Sequence, residues 1–132
     1  MFAFDFGTAS SPLESGYTRI TESTGYSGGL GYGWGSTAGL SSRDRGAPDV
    51  LRRDLVQSSS DGAFNVDLPN GDYTVSLIIG DYSYSHDNIV VYAEGGLEVD
   101  DVYINPGDFV ASTFSVLVSD GQLNLLFVDD GG

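Results

Sequence analysis

From Phe64 onward, apolar and polar residues alternate along the chain: Phe64, Val66 and Leu68 share one side, Asn65 and Asp67 the other. Period-two alternation places every second side chain on one face of a half-buried β-strand. The link Pro69-Asn70-Gly71-Asp72 combines a proline that fixes one φ with an Asn-Gly pair that tolerates positive φ. Tyr73, Val75, Leu77 and Ile79 then alternate again. Read locally, the two runs predict a hairpin. Further apolar or alternating runs occupy residues 89–93, 97–104, 109–118 and 123–128, punctuated by Gly95-Gly96, Asn105-Pro106-Gly107 and Asp120-Gly121. Short strands separated by Gly, Pro, Asn and Asp turns define an all-β sandwich or barrel. Only residues 47–56 predict a helical turn, with Pro48 at a first helical position and Val50, Leu51 and Leu55 near helical spacing.

The first half is patterned differently. Residues 25–39 interleave glycines with Tyr26, Tyr32 and Trp34, which predicts a shaped loop inside the domain, because flexible linkers lack large aromatics. The stretch Gly25-Tyr26-Ser27-Gly28-Gly29 matches G-x-S-x-G, a motif that needs a helix after the serine. The glycine-rich sequence that follows predicts none, so Ser27 is not read as a nucleophile. Gly33-Trp34-Gly35-Ser36-Thr37-Ala38 likewise lacks the βαβ setting of a dinucleotide fingerprint.

The chain has 132 residues, enough for one domain spanning 1–132 and too few for a second independent core. The formal charge is −14, and all five basic residues are arginines: Arg19, Arg43, Arg45, Arg52 and Arg53. That charge repels phosphate backbones and anionic lipid surfaces, so neither nucleic acid nor a membrane is expected as a partner. Such acidity without lysine also suits a protein from concentrated salt. The absence of cysteine removes disulfides, thiolate nucleophiles and Cys-based zinc sites, and leaves the redox compartment open. No basic start followed by an apolar run opens the sequence; a secretion signal is therefore expected to have been removed or to lie outside it.

Candidate chemistry concentrates on aromatics, arginines and carboxylates. Sugars offer C–H faces to aromatic rings and hydroxyls to planar hydrogen-bonding groups. Tyr32 with Trp34 either stack on such a ligand or roof the core. Tyr82 and Tyr84 lie in a polar loop that also holds Asp81 and His86. Arg43, Arg45, Arg52 and Arg53 either bind hydroxyls or form an internal ion-pair network with Asp44, Asp49 and Asp54. The many aspartates single out no acid–nucleophile pair for glycoside hydrolysis.

Taken in order, Phe4-Asp5-Phe6-Gly7, Gly16-Tyr17-Thr18, Gly31-Tyr32-Gly33-Trp34, Asp44-Arg45-Gly46, Leu51-Arg52-Arg53-Asp54-Leu55-Val56, residues 64–68, Gly71-Asp72-Tyr73-Thr74-Val75 and Gly80-Asp81 resemble a known family. It is the galactose-binding-like β-sandwich that precedes the catalytic domain of some β-agarases and GDSL-type rhamnogalacturonan acetylesterases. The resemblance implies a jelly roll of about eight strands, excised from a larger secreted, extracellular enzyme whose catalysis lies in another domain. It further implies contact with a polysaccharide, a neutral galactan or agarose, or rhamnogalacturonan. The carbohydrate-binding candidates are then Tyr32, Trp34, Arg43, Arg45, Asp81, Tyr82, Tyr84 and His86; the competing expectation is a structural spacer with no ligand. Related sandwiches often hold a structural calcium, for which Asp5, Asp129 and Asp130 offer oxygen donors without diagnostic spacing; no other cofactor is expected. Compared with the family, the chain lacks a final apolar strand after residues 123–128, which predicts an open sheet edge available for self-association or a gap filled by another chain.

Overall fold

The computed structural model describes residues 3–46, 49, 52–58, 62–83 and 85–129; for 86–88, 100–102, 129 and Ser58 the description is of the backbone. Eleven strands and no helix occur among the described residues. They are β1 (Phe4–Phe6), β2 (Thr18–Ile20), β3 (Tyr32–Trp34), β4 (Leu40–Asp44), β5 (Asp54–Ser58), β6 (Gly62–Asp67), β7 (Gly71–Gly80), β8 (His86–Ala93), β9 (Gly96–Ile104), β10 (Phe109–Val118) and β11 (Gln122–Asp129). A five-stranded sheet runs in the order β3-β6-β11-β8-β9, and β10 pairs with β7 in a second sheet. The short parallel pair β1–β2 and the hairpin β4–β5 complete the described ladders.

The all-β jelly-roll class stands, and the alternation read from the sequence is the burial pattern observed. In β6, Phe64 and Val66 are buried while Ala63, Asn65 and Asp67 are partly exposed, and Leu68 continues the buried side. The core gathers Ile20, Trp34, Phe64, Val66, Leu68, Val116, Val118, Leu123 and Leu125, with Phe4, Phe6, Tyr32 and Phe127 packed against it. Phe64 is its hub. Its ring lies 5.3 Å from Phe4, 5.0 Å from Phe6 and 5.3 Å from Trp34, each edge-on, the arrangement that sets a positive ring edge on a negative face.

Three local expectations are corrected. The hairpin of residues 64–68 and 73–79 does not form: β6 bonds to β3 and β11, whereas β7 bonds to β10. The link is an arch between sheets, held where Leu68 N–H meets Gly121 O at 3.1 Å and Gly121 N–H meets Asn70 Oδ1 at 2.7 Å. Both runs point their apolar sides into the same core, which alternation predicts equally well for an arch. The helical reading of residues 47–56 fails at Leu55 and Val56, which lie on β5 and pair with β4. One i→i+4 bond, Arg53 N–H to Asp49 O at 2.9 Å, closes the turn before it, while 47, 48, 50 and 51 lie outside the described residues. The glycine-rich segment is more than a loop, since it contains β3, whose Gly33 has φ of 141°. A Cβ there would sit 2.5 Å from Tyr26 N, so only glycine lets the two backbones meet.

Predicted turns elsewhere hold. Glu94 and Gly95, with φ of 51° and 80°, form the two-residue connection between β8 and β9, as a primed turn requires. Ser27 sits in a turn in which its Oγ accepts the Leu30 N–H at 3.1 Å, and β3 rather than a helix follows.

Candidate functional site

One end of the sandwich carries the residues of interest. The β4–β5 connection, the segment after β7 and the β9–β10 turn meet there. Arg45 donates from Nε to Asp81 Oδ1 at 2.9 Å and from Nη2 to Asp81 Oδ2 at 3.0 Å. Asp81 is 0% exposed, and its Oδ1 also accepts the Ser83 N–H at 2.9 Å. The Asp81 backbone carbonyl takes the Gly107 N–H at 3.0 Å, so one aspartate joins three connections. A bidentate guanidinium–carboxylate pair fixes orientation as well as distance.

The neighbouring arginines are similarly engaged. Arg53 binds Asp44 through both oxygens at 2.9 and 3.0 Å, which holds the Asp44 carboxyl below its usual range. Arg52 binds Asp49 at 2.8 Å through Nε, and its guanidinium carbon lies 5.5 Å from the Phe109 ring centre. Arg43 is exposed, donates to Ser42 O at 2.7 Å, and helps the Ser42 hydrogen bond lower the Glu22 carboxyl. Of the two sequence readings of this cluster, the ion-pair network is the arrangement the structure contains.

The eight sugar-contact candidates therefore separate. Trp34 is 6% exposed, donates from Nε1 to Thr21 O at 3.1 Å, and meets Phe6, Phe64 and Phe127 rings. Tyr32 is half-buried with its ring 5.3 Å from Phe4. Both serve as core roof, because β3 turns them inward onto β6. Asp81 has no surface to offer, and Arg45 is committed to it. Tyr82, at 43% exposure, and Arg43 remain on the surface. Tyr84 and the His86 side chain lie outside the described residues.

Beneath this end lies an open cleft of about 510 Å³, bordered by Phe4, Trp34, Leu55, Leu77, Phe109 and Phe127 among others. Asp54 is on its border. Asp54 and Asp5, 7% and 2% exposed, are close enough for each carboxyl to influence the other. Asp5 Oδ2 accepts the Glu14 N–H at 2.9 Å, and Asp54 Oδ2 accepts the Ser11 hydroxyl. Asp5 Oδ1 and Asp54 Oδ1 have no hydrogen-bond partner among the described residues. Two buried carboxyl groups in each other's field disfavour ionisation of both. Burial first, and then the Asp5 charge, pushes Asp54 up to about 6, against the Ser11 hydrogen bond; Asp5 is raised by burial as well. Gly7 makes the contact feasible, since a Cβ there would lie 2.1 Å from Asp54 Oδ2. The available sequence signal was Asp5 itself, a charge set between Phe4 and Phe6 in a short apolar strand.

A calcium ion takes six to eight oxygens. Among the described residues no three metal-ligating side chains converge, and Asp5 and Asp54 leave only two uncommitted oxygens. That donor set does not fit calcium. Asp130 and the Asp129 side chain fall outside the description.

The raised Asp54 carboxyl makes stability depend on pH. A carboxyl raised in the folded state contributes stability in full below its unfolded value near 3.8 and loses it as pH rises through about 6. The loss amounts to about 3 kcal/mol for two pKa units. Asp54→Asn keeps the shape of the side chain and removes the ionisable group. Urea unfolding between pH 4 and 8 is expected to show the variant losing much less stability than the parent across that window, and to be the more stable of the two at pH 8.

An all-β sandwich whose cleft and loop end are shaped by ion pairs and aromatics is a module of the galactose-binding-like class. The chain belongs to the beta-agarase/YXIM esterase-like, galactose-binding domain-like family, which matches residues 2–131. It is 38% identical over 99% of its length to beta-agarase A of Zobellia galactanivorans, and 36% identical over 98% to the uncharacterized esterase YxiM of Bacillus subtilis. It covers only 24% and 32% of those proteins. A crystal structure of the B. subtilis YxiM protein matches with a TM-score of 0.77 at 34% identity, over 99% of this chain and 36% of that one.

Proposed function

We propose that this domain is a non-catalytic carbohydrate-recognition module of a secreted, extracellular polysaccharide-active enzyme, with the catalytic domain elsewhere in the same polypeptide. The observation that carries this reading is family membership across residues 2–131, combined with the small share of a β-agarase and an esterase that the domain represents. The loop end supplies the surface. Tyr82 offers a ring face there, and Arg43 a guanidinium on the surface at the end of β4. Arg45 and Asp81 act as the brace that holds the loops. A net charge of −14 favours neutral galactans or agarose over pectic anions such as rhamnogalacturonan.

Titration calorimetry and chemical-shift mapping with agarose, galactan, rhamnogalacturonan and xylan oligosaccharides, with and without calcium, test the reading. A neutral galactose-containing oligosaccharide is expected to bind, and Tyr82→Ala to weaken it about tenfold, the loss of one stacking contact worth ~1.4 kcal/mol. Silence across the panel would sink the reading. The burial of Trp34 and Asp81 and the pairing of Arg45, Arg52 and Arg53 favour the second reading, a structural spacer.

A further inference from the structure

The outer face of the five-stranded sheet carries an ordered pattern of side chains. Phe64 and Val66 of β6 and Leu123 and Leu125 of β11 point into the core, so the residues between them point away from it. The register sets these outward residues in rows across the strands. Asp67 stands opposite Gln122, Asn65 opposite Asn124, and Ala63 opposite Leu126. Leu126 in turn stands opposite Tyr92, and Tyr92 opposite Leu97, which is 50% exposed. Two polar rows thus lie beside an apolar one. Gln122 donates to Asp67 Oδ1 at 3.1 Å, and Glu94 Oε1 accepts the Asn124 N–H at 3.3 Å. The side-chain amides of Asn65 and Asn124 bond to no other side chain among the described residues. Relief borders the rows. On one side Tyr26 passes against Gly33 of β3, where a Cβ would sit 2.5 Å from Tyr26 N. Its hydroxyl is pinned to both Asp67 oxygens at 2.8 and 2.9 Å, which fixes a ring that is 37% exposed. On the other side stands Tyr92 of β8, three strand spacings or about 14 Å from β3. Between them, small Ala63 and Gly95 leave a shallow depression of about 340 Å³ that Asn124 and Leu126 also line.

We propose that this outer sheet face is a second carbohydrate contact, for a neutral oligosaccharide lying across the strands, with hydroxyls on Asn65, Asn124 and Glu94 and C–H faces on Leu126 and Tyr92. The assignment rests on the reading of the domain as a carbohydrate-recognition module. A sugar ring is itself amphipathic, apolar on its faces and hydroxylated at its edges, and an apolar row beside planar polar ones matches both. An asparagine amide donates and accepts, as a hydroxyl does, while the carboxylates of Asp67 and Glu94 accept. Charge selects the class of polymer. The strands β6, β8, β9 and β11 hold no arginine and the chain no lysine, so the face sets two carboxylates against any anionic chain. A protein partner fits less well, because interfaces between proteins keep charge at the rim, whereas here the polar rows run through the middle.

Chemical-shift titration of the isotope-labelled 132-residue chain with agarose and galactan oligosaccharides reads the two surfaces separately. Shifts are expected at the side-chain amides of Asn65 and Asn124 and along residues 92–97, apart from any shift around Tyr82. Asn65→Ala and Asn124→Ala are each expected to weaken binding at the sheet face about three- to tenfold, the net loss of a hydrogen bond. Both side chains stand on the solvent side of the sheet, and an unchanged thermal midpoint confirms that each variant keeps the fold. Shifts confined to the surface around Tyr82 would overturn the sheet-face contact and keep the carbohydrate reading. Silence from every oligosaccharide would overturn both. A rhamnogalacturonan fragment that moves the same amides as strongly would overturn the assignment to neutral sugars. Amides of this face that shift with protein concentration, and not with sugar, would give the face to a second copy of the chain instead.

Discussion

Arg45→Ala is expected to destabilise the domain by about 3–5 kcal/mol, because it strands a buried carboxylate. Asp81 has a side chain 1% exposed, and Arg45, at 16%, is its bidentate partner. In a buried pair, removing one member leaves the desolvation cost of the other uncompensated, whereas replacing both with apolar groups is often neutral. Urea unfolding therefore has a built-in control. Asp81→Leu combined with Arg45→Met is expected to recover much of the loss, apart from the Ser83 contact that Asp81 also accepts. A single variant as stable as the parent would show that the pair contributes little. The functional consequence follows from placement: the pair ties the β4–β5 connection to the segment after β7, so loosening it also disorders the surface around Tyr82.

Phe64→Ala is expected to cost about 3–5 kcal/mol, the range for a buried aromatic truncated to alanine. Phe64 is 1% exposed and in edge contact with three other rings. Those rings stand on β1 and β3, so the loss falls on the joint between the N-terminal strands and the main sheet. Collapse of the cavity is hindered, because Trp34 is pinned by its bond to Thr21 O and the indole lies so close over Gly62 that a Cβ there would sit 3.3 Å from it. Phe64→Leu, which retains most of the volume, is expected to cost under about 1.5 kcal/mol. Thermal unfolding monitored by near-UV circular dichroism reads both, since the ring cluster dominates that signal; equal losses for the two variants would remove the packing argument.

The long strands were legible because period-two alternation is a local consequence of burying one side of a pleated sheet. Residues 109–118 were delimited as observed, and 97–104 and 123–128 to within a residue or so. The strands β1, β2 and β3, three residues each, are too short to show a period. β5 was misread as helical because Val50, Leu51 and Leu55 fit a spacing of 3.6 as well as any. The sugar-contact candidates were chosen for residue type, and residue type is silent about burial. Tyr82 was correctly placed in an exposed loop by its polar neighbours, whereas Trp34 among glycines left the core and a ligand equally open. Asp5 was noticed only as an oxygen donor; its partner Asp54, 49 positions along the chain, was assigned to the arginines beside it.

What the sequence by itself determined is therefore local and compositional: an all-β chain, its turns, the inward side of each long strand, its acidity, and through ordered motifs its family. Tertiary structure alone decided which strand bonds to which, that residues 64–68 and 73–79 face each other across a core, and that Arg45 spends its charge on Asp81. It alone decided that two buried aspartates 49 positions apart come close enough to influence each other. The physical reason is common to all of these. Alternation and composition report which side chains leave water, a property each residue carries along its own strand, while hydrogen-bond partners, ion pairs and raised carboxyls depend on residues that only folding brings together.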